Sequence, residues 1–241
     1  GFEGFVISDW GSVWELINHR VAEDEADAAR LGFNSGVDME MATTCFVDHL
    51  KALVEKEIVL MDRVDDAVRR ILAAKFRFGL FERPYADPDQ AAAVQFTPEH
   101  QSLARALAAQ SIVLLKNDKE ILPLPKQGKK IAFTGPLLDE KIALLGSWMI
   151  DGLESETQSV WEAASTAAPD ALLPHISPVL ADEMLLRAAQ ADIVVFLAGE
   201  AHSRSGENNN LAIIDLPAGQ TEMIESVCDL GKPVILVVFA G

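Results

Sequence analysis

Basic residues are scarce in this chain. Lys and Arg total 20 against 37 Asp and Glu, a formal charge of -17. Nucleic acid and anionic membrane surfaces repel such a protein, so neither is expected as a partner, and a neutral or cationic ligand is easier to accommodate. Cysteine is almost absent. Cys45 and Cys228 lie far apart and match no metal or redox spacing, so no metal or other cofactor is expected. Their number does not fix the compartment, and Cys228, inside a helical pattern, reads as a buried apolar residue. No apolar run reaches membrane-spanning length, and the N-terminus lacks the basic and apolar regions of a signal peptide. Glycine fingerprints are missing too. Ala132-Phe133-Thr134-Gly135-Pro136 ends a strand pattern, but no G-x-G-x-x-G or P-loop follows, and there is no serine elbow or H-E-x-x-H. These gaps disfavour nucleotide binding, serine-nucleophile hydrolysis and zinc chemistry.

What is present is ample apolar material: 49% hydrophobic residues in a chain of 241, enough for one large domain or two small ones. The chain opens with Gly1-Phe2-Glu3-Gly4 one step from a strand pattern and stops at Gly241 just after the apolar run Pro233 to Phe239. A domain rarely starts and stops against its own core strands, so a piece of a longer polypeptide is expected.

Residues 1–85 read as strand, helix, strand, helix, the signature of a βα repeat with parallel strands. Phe5 to Ile7 is a short apolar run, expected to be a strand buried on both faces. An Ala-rich helical pattern covers about Glu23 to Asn34, Ser35-Gly36 breaks it, and Val37 to Met41 reads as a second strand. Helices follow at about Phe46 to Glu57 and Val64 to Phe78. Arg69-Arg70 fall on the wet side of the latter, and Gly79 is its stop. Residues 86–97 form the linker candidate, within a stretch rich in turn formers, and Thr97-Pro98 starts the next helix as N-cap and first-turn proline. Residues 98–241 read as a doubly wound unit. Strands are expected at Ile112 to Leu115, Ile131 to Thr134, Ile193 to Ala198 and Val234 to Phe239, with helices at about Gln158 to Ala168, Ala181 to Ala191 and Ala218 to Leu230.

Two places could carry chemistry. Asp9 and Trp10 follow the first strand at the end where α/β barrels keep their active sites. A carboxylate beside an indole suits a sugar, the acid handling hydroxyls and the ring stacking on a sugar face. The same Asp is equally suited to capping a helix or a turn. The second place is the long polar loop Gly199-Glu200-Ala201-His202-Ser203-Arg204-Ser205-Gly206-Glu207-Asn208-Asn209-Asn210, which leaves the C-terminal end of a strand, where ligands gather in open α/β sheets. A lone His202 in such a loop is ordinarily just solvated, and Arg204 can pair with Glu200 or Glu207. Asn208 to Asn210 suit a tight turn. Glycoside hydrolysis needs two acids, one ionised and one protonated, but residue patterns alone do not pair Asp9 with Glu207.

A family resemblance does pair them. Gly4-Phe5-Val6-Ile7-Ser8-Asp9-Trp10-Gly11 resembles the nucleophile segment of glycoside hydrolase family 3, and Gly36-Val37-Asp38-Met39-Glu40-Met41 the segment after it. Arg63 to Phe81 resembles the helix closing that family's barrel, and Ser111 to Asn117, Leu122-Pro123-Leu124 and Lys232-Pro233-Val234 match its second domain in kind and order. The resemblance covers essentially the whole chain. It implies the C-terminal part of a TIM-like (β/α)8 barrel followed by an α/β sandwich with a mainly parallel sheet, and an active site between them.

Carried over by position, Asp9 is the nucleophile and Glu207 the acid/base, because Ser205-Gly206-Glu207 matches the segment that bears it in the β-glucosidase branch. Trp10, Met41, Arg204 and Glu200 are implied substrate contacts, with Glu200 the reserve acid/base because Asn208-Asn209-Asn210 depart from the family pattern. The implied function is a retaining, exo-acting β-glycosidase that removes terminal β-linked glucose. β-Xylosidase action and a non-catalytic carbohydrate-binding relative are the rivals. Retention requires carboxyls about 5–5.5 Å apart. The Ser-Asp-Trp form separates the chain from the family's N-acetylglucosaminidases. The implied partner is a small carbohydrate. The missing N-terminal barrel portion, which supplies most glycone contacts, is needed for activity, so the chain alone is expected to be inactive. Homo-oligomerisation is left open, and a periplasmic or secreted location follows only from family habit.

Overall fold

The computed structural model describes residues 2–174, 181–207 and 209–240. They form two compact units that divide between Ile112 and Val113. The helix opened by Thr97-Pro98 therefore clusters with the first unit.

In the first unit β1 (Ile7–Trp10) is followed by α1 (Ser12–Asn18), α2 (Glu25–Asn34), β2 (Met39–Met41), α3 (Cys45–Glu55), α4 (Met61–Arg77), α5 (Pro88–Val94) and α6 (Pro98–Ser111). β1 and β2 run parallel. The strand expected at Phe5 to Ile7 starts later and is not buried on both faces: only Ser8 is buried, and Val6 and Ile7 are over 40% exposed. Hydrogen bonding rather than apolarity sets its limits, since pairing with β2 continues until the Gly11 amide donates to the Met41 carbonyl at 3.0 Å. Asp9 and Trp10 thus lie within the strand.

The helices form where their caps and faces dictate. Asp24 caps α2 by accepting from the Asp27 amide at 2.8 Å. Phe33 of α2 meets Phe46 of α3 edge to face at 5.2 Å, burying two aromatic rings in the core. α4 ends where expected: Gly79 takes φ 66, and the Leu80 amide returns to the Lys75 carbonyl at 3.1 Å. Arg70 is not simply on the wet side. Its guanidinium pairs with Asp66 and reaches the carbonyls of Phe2 and Gly4, fastening the chain ahead of β1. The linker candidate contains α5, capped by Asp87.

The second unit holds β3 (Ile131–Thr134), α7 (Ile142–Leu145), α8 (Val160–Ala167), α9 (Ala181–Gln190), β4 (Ile193–Gly199), α10 (Gln220–Cys228) and β5 (Val234–Phe239). The sheet is parallel in the order β3-β4-β5. Every residue of β4 is buried, as a central parallel strand requires, and β5 is half exposed. Ser159 opens α8 with a full capping box to Glu162. Met184 and Ala188 of α9 and Val227 of α10 pack on one cluster with Val194, Phe196 and Ala198.

Two expectations about residues 98–241 fail. Residues 112–115 form no strand and lie 64–87% exposed, because an apolar β-branched run becomes a strand only with a ladder partner, and none of the described residues provides one. Cys228 is exposed. The inward face of α10 is Gln220, Met223, Ile224 and Val227, and Cys228 falls just beyond that stripe. Among the described residues no helix is long and apolar enough to cross a membrane.

Candidate active site

The first unit gathers three of the sequence-predicted residues at the C-terminal ends of β1 and β2. Asp9 and Trp10 are exposed, and Met41 is half-buried beside them. Between them sits the buried Ser8. Its hydroxyl accepts from the Met41 amide at 2.8 Å and donates to the Asp9 carbonyl at 2.9 Å. The Ser12 hydroxyl donates to that same carbonyl at 3.2 Å. The Asp9 carboxylate accepts the Trp10 amide on Oδ1 at 2.7 Å, and no described residue hydrogen bonds to Oδ2. Oδ1 thus orients the group while Oδ2 remains open. Gly11 then turns the chain with φ 67 into α1.

The two other acids of this region serve the scaffold. Asp38 is buried. Its Oδ2 accepts the Val6 amide at 2.8 Å, and its Oδ1 lies 2.8 Å from Arg63 Nη1. Arg63 also donates to the carbonyls of Phe33 and Val37 and lies 4.6 Å over the Phe33 ring. Glu40 accepts from the Thr43 hydroxyl and from the Cys45 and Phe46 amides at the start of α3. Burial, seconded by the Glu40 charge, pushes the Cys45 thiol up to about 11.

In the second unit the loop after β4 carries Glu200, Arg204 and Glu207. Glu200 is half-buried, with Arg204 Nε 3.8 Å from its Oε1. Of the two partners open to Arg204 in sequence, Glu200 is the one it meets. His202 is half-buried in a single helical turn, His202 to Arg204, and its Nδ1 has no partner among the described residues, so it is not simply solvated. Ser205 donates to the His202 carbonyl at 3.4 Å, and the Asn209 side chain donates to the Ser205 carbonyl at 2.9 Å. Asn208, assigned to a turn by sequence, lies outside the described residues. Gly206 takes φ 109, and a side chain there would meet Ser147 within 3 Å. Ser147 is thus a neighbour of the loop that no local pattern signals. Glu207 is exposed and pairs with no described residue.

Residues 112–241 match the glycosyl hydrolase family 3 C-terminal domain, and residues 1–74 the glycosyl hydrolase family 3 N terminal domain. The chain belongs to glycosyl hydrolase family 3. A periplasmic β-glucosidase of Salmonella typhimurium is 33% identical over 275 residues, covering all of this chain and 36% of that protein. A β-xylosidase of Formosa agariphila is 32% identical over 265 residues with the same coverage. The crystal structure of a β-glucosidase from Listeria innocua in complex with isofagomine superposes with a TM-score of 0.84 at 35% identity, covering 98% of this chain and 34% of that one. The chain thus spans about a third of the length of these relatives. Its fold is the C-terminal part of a TIM-like barrel followed by an α/β sandwich domain.

Proposed function

We propose that this chain supplies both catalytic carboxyls of a retaining β-glycosidase of β-glucosidase type, Asp9 as nucleophile and Glu207 as acid/base. The observation that carries the reading is the Asp9 carboxylate, exposed at the end of a parallel strand and oriented through one oxygen only. A nucleophile needs that free oxygen, and Asp9 is not engaged as a cap, since the N-cap of α1 is Gly11, with no side-chain cap. Glu207 is favoured over Glu200 because Arg204 already engages Glu200, and an acid/base must be free to shuttle a proton.

In this reading Asp9 attacks the anomeric carbon while Glu207 protonates the departing oxygen. Water, deprotonated by Glu207, then releases the glycosyl ester. Trp10 and Met41 flank the nucleophile as sugar contacts, and Arg204 holds Glu200 at the margin of the acid/base loop. The partner is a small neutral carbohydrate. Nucleic acid and membrane surfaces are disfavoured by the charge of -17. Activity belongs to a polypeptide of the relatives' length, in which the remaining barrel strands complete the glycone pocket. A periplasmic location is supported by the Salmonella relative. The Formosa relative supports a second reading, β-xylosidase, at nearly equal identity.

Labelling tests both. A polypeptide of the relatives' length containing this chain is treated in parallel with activated 2-deoxy-2-fluoro-glucoside and 2-deoxy-2-fluoro-xyloside and mapped by peptide mass. A label on Asp9 from the glucoside is expected. Label from the xyloside alone selects the second reading, and label on another carboxylate overturns the assignment of Asp9. A folded protein that takes neither label favours a different glycone or a non-catalytic relative.

A further inference from the structure

The loop that carries Glu207 leaves the sheet at Gly199 and rejoins regular structure at Gln220, and one side chain joins those two ends. Backbone groups along β4 alternate between its neighbours. The Ile193 amide faces β3, bonding to the Lys130 carbonyl, while the amides of Val194 and Glu200 face β5. By this alternation Gly199 faces the β3 side. β3 does not serve it, because the β3–β4 register ends at Thr134 opposite Phe196, and Gly135 beyond it lies against Leu197 rather than Gly199. The Gln220 carboxamide takes its place. Its Oε1 accepts the Gly199 amide and its Nε2 donates to the Gly199 carbonyl, both at 2.8 Å and both buried. On the other side β5 presses so closely that a side chain at Gly199 would lie 2.0 Å from the Phe239 carbonyl oxygen. The last residue of β4 is therefore clamped from both sides, one position before Glu200.

We propose that Gln220 is a positioning residue for the acid/base. By closing the neck of residues 200–219 it fixes the direction in which the loop departs, and so where Glu207 delivers its proton. The inference rests on the acid/base reading of Glu207. From the neck the geometry passes along the loop by the Glu200–Arg204 pair, the turn His202 to Arg204, the Ser205 and Asn209 hydrogen bonds, and the seat of Gly206 against Ser147.

A misplaced acid hurts only reactions that need the proton. The test is kcat/KM, which reports bond cleavage to the leaving group, for Gln220→Met in a polypeptide of the relatives' length. Two aryl glycosides are compared, a dinitrophenyl glycoside that departs unaided and an unsubstituted phenyl glycoside that needs protonation. General acid catalysis contributes about 10²–10⁴-fold, so a loss of roughly tenfold or more is expected on the phenyl glycoside, with the dinitrophenyl rate nearly unchanged. Equal losses on both substrates, the mark of a purely structural role, or no loss on either, would overturn the proposal. Glu207→Ala is run alongside. If it shows the leaving-group dependence and the Gln220 variant does not, only the Gln220 proposal fails. If Glu207→Ala treats both substrates alike, the acid/base reading itself fails. Should Gln220→Met not fold, Gln220→Asn answers the same question, because it keeps a neutral carboxamide and draws it back from Gly199 by one methylene.

Discussion

The buried hydroxyl of Ser8 bridges to Met41: it accepts from that residue's amide at 2.8 Å and donates a hydrogen bond to the Asp9 carbonyl. A side chain thereby does the work of a ladder bond at the point where the β1–β2 register is irregular. Ser8→Ala leaves the Met41 amide unpaired, and an unmade bond at a buried donor costs about 1–3 kcal/mol. We expect an unfolding free energy lowered within that range, read from the shift in denaturant midpoint. The kcat/KM should fall more than the stability loss explains, because the Asp9 carbonyl loses a donor as well. A midpoint and a rate both equal to the parent's would show that the bridge does nothing.

Beneath that bridge, Asp38 and Arg63 tie β1, β2 and α4 together. Removing Arg63 strands the buried Asp38 carboxylate, at a cost of about 3 kcal/mol, the low end for a broken buried pair because Arg63 is itself partly exposed. Arg63→Met is expected to destabilise the first unit by that amount. The double variant Asp38→Leu with Arg63→Met should recover part of it, since no lone charge remains. Chemical denaturation of the two variants and the parent measures the difference, and equal stability of single variant and parent would refute the pairing.

Local signals in the sequence were enough for the longer helices, while the short α1, α5 and α7 were not anticipated. Thr97-Pro98 started α6 and Gly79 stopped α4, because caps act within one turn. The parallel strands of the second unit were legible as apolar runs because their ladders exist. Residues 112–115 have the same composition and no ladder, and composition cannot reveal that. The exposure of Cys228 was missed because helical period was read without its phase. At the candidate site, the family motif led to Asp9 and Glu207, but the supports around them were invisible. Ser8 meets Met41 across 33 positions, and Gln220 meets Gly199 across 21. Such pairs have no local signature, and only the folded sheet brings them together.

Glycines with positive φ separate into two kinds. At Gly11, with φ 67, an added side chain meets nothing within 4 Å, so Gly11→Ala costs only the left-handed backbone, about 1–2 kcal/mol. At Gly199 the added carbon would overlap the Phe239 carbonyl. Gly199→Ala is expected to exceed 4 kcal/mol, the range reserved for severe steric change, or to abolish folding. Thermal melts of both variants check the contrast, and similar losses at the two sites would contradict the close approach of β4 and β5.

The two thiols should differ in reactivity. Only the thiolate attacks an alkylating agent, and Cys45 is buried with its pKa pushed up to about 11, whereas Cys228 is exposed. A brief iodoacetamide pulse at pH 8 followed by peptide mapping should modify Cys228 and spare Cys45 until the protein is unfolded. Equal rates in the native state would place Cys45 at the surface and contradict its packing in the first core.

Acid should weaken the start of α8 through Glu162. Its carboxylate receives Lys141 at 2.7 Å and the Ser159 amide at 3.0 Å, and these partners hold its pKa below the ordinary 4.5. A carboxyl whose folded pKa is depressed stabilises the fold above its unfolded pKa, and that contribution fades as the pH falls through the lower folded value. Glu162→Gln keeps an acceptor for the Ser159 amide and loses the charge. At pH 7 the variant should therefore be less stable than the parent. As the pH drops below 4.5 the gap should narrow, because the parent carboxyl takes up its own proton. Urea midpoints at several pH values measure the gap. One that stayed constant into strong acid would mean that the variant loses packing rather than the ionised pair.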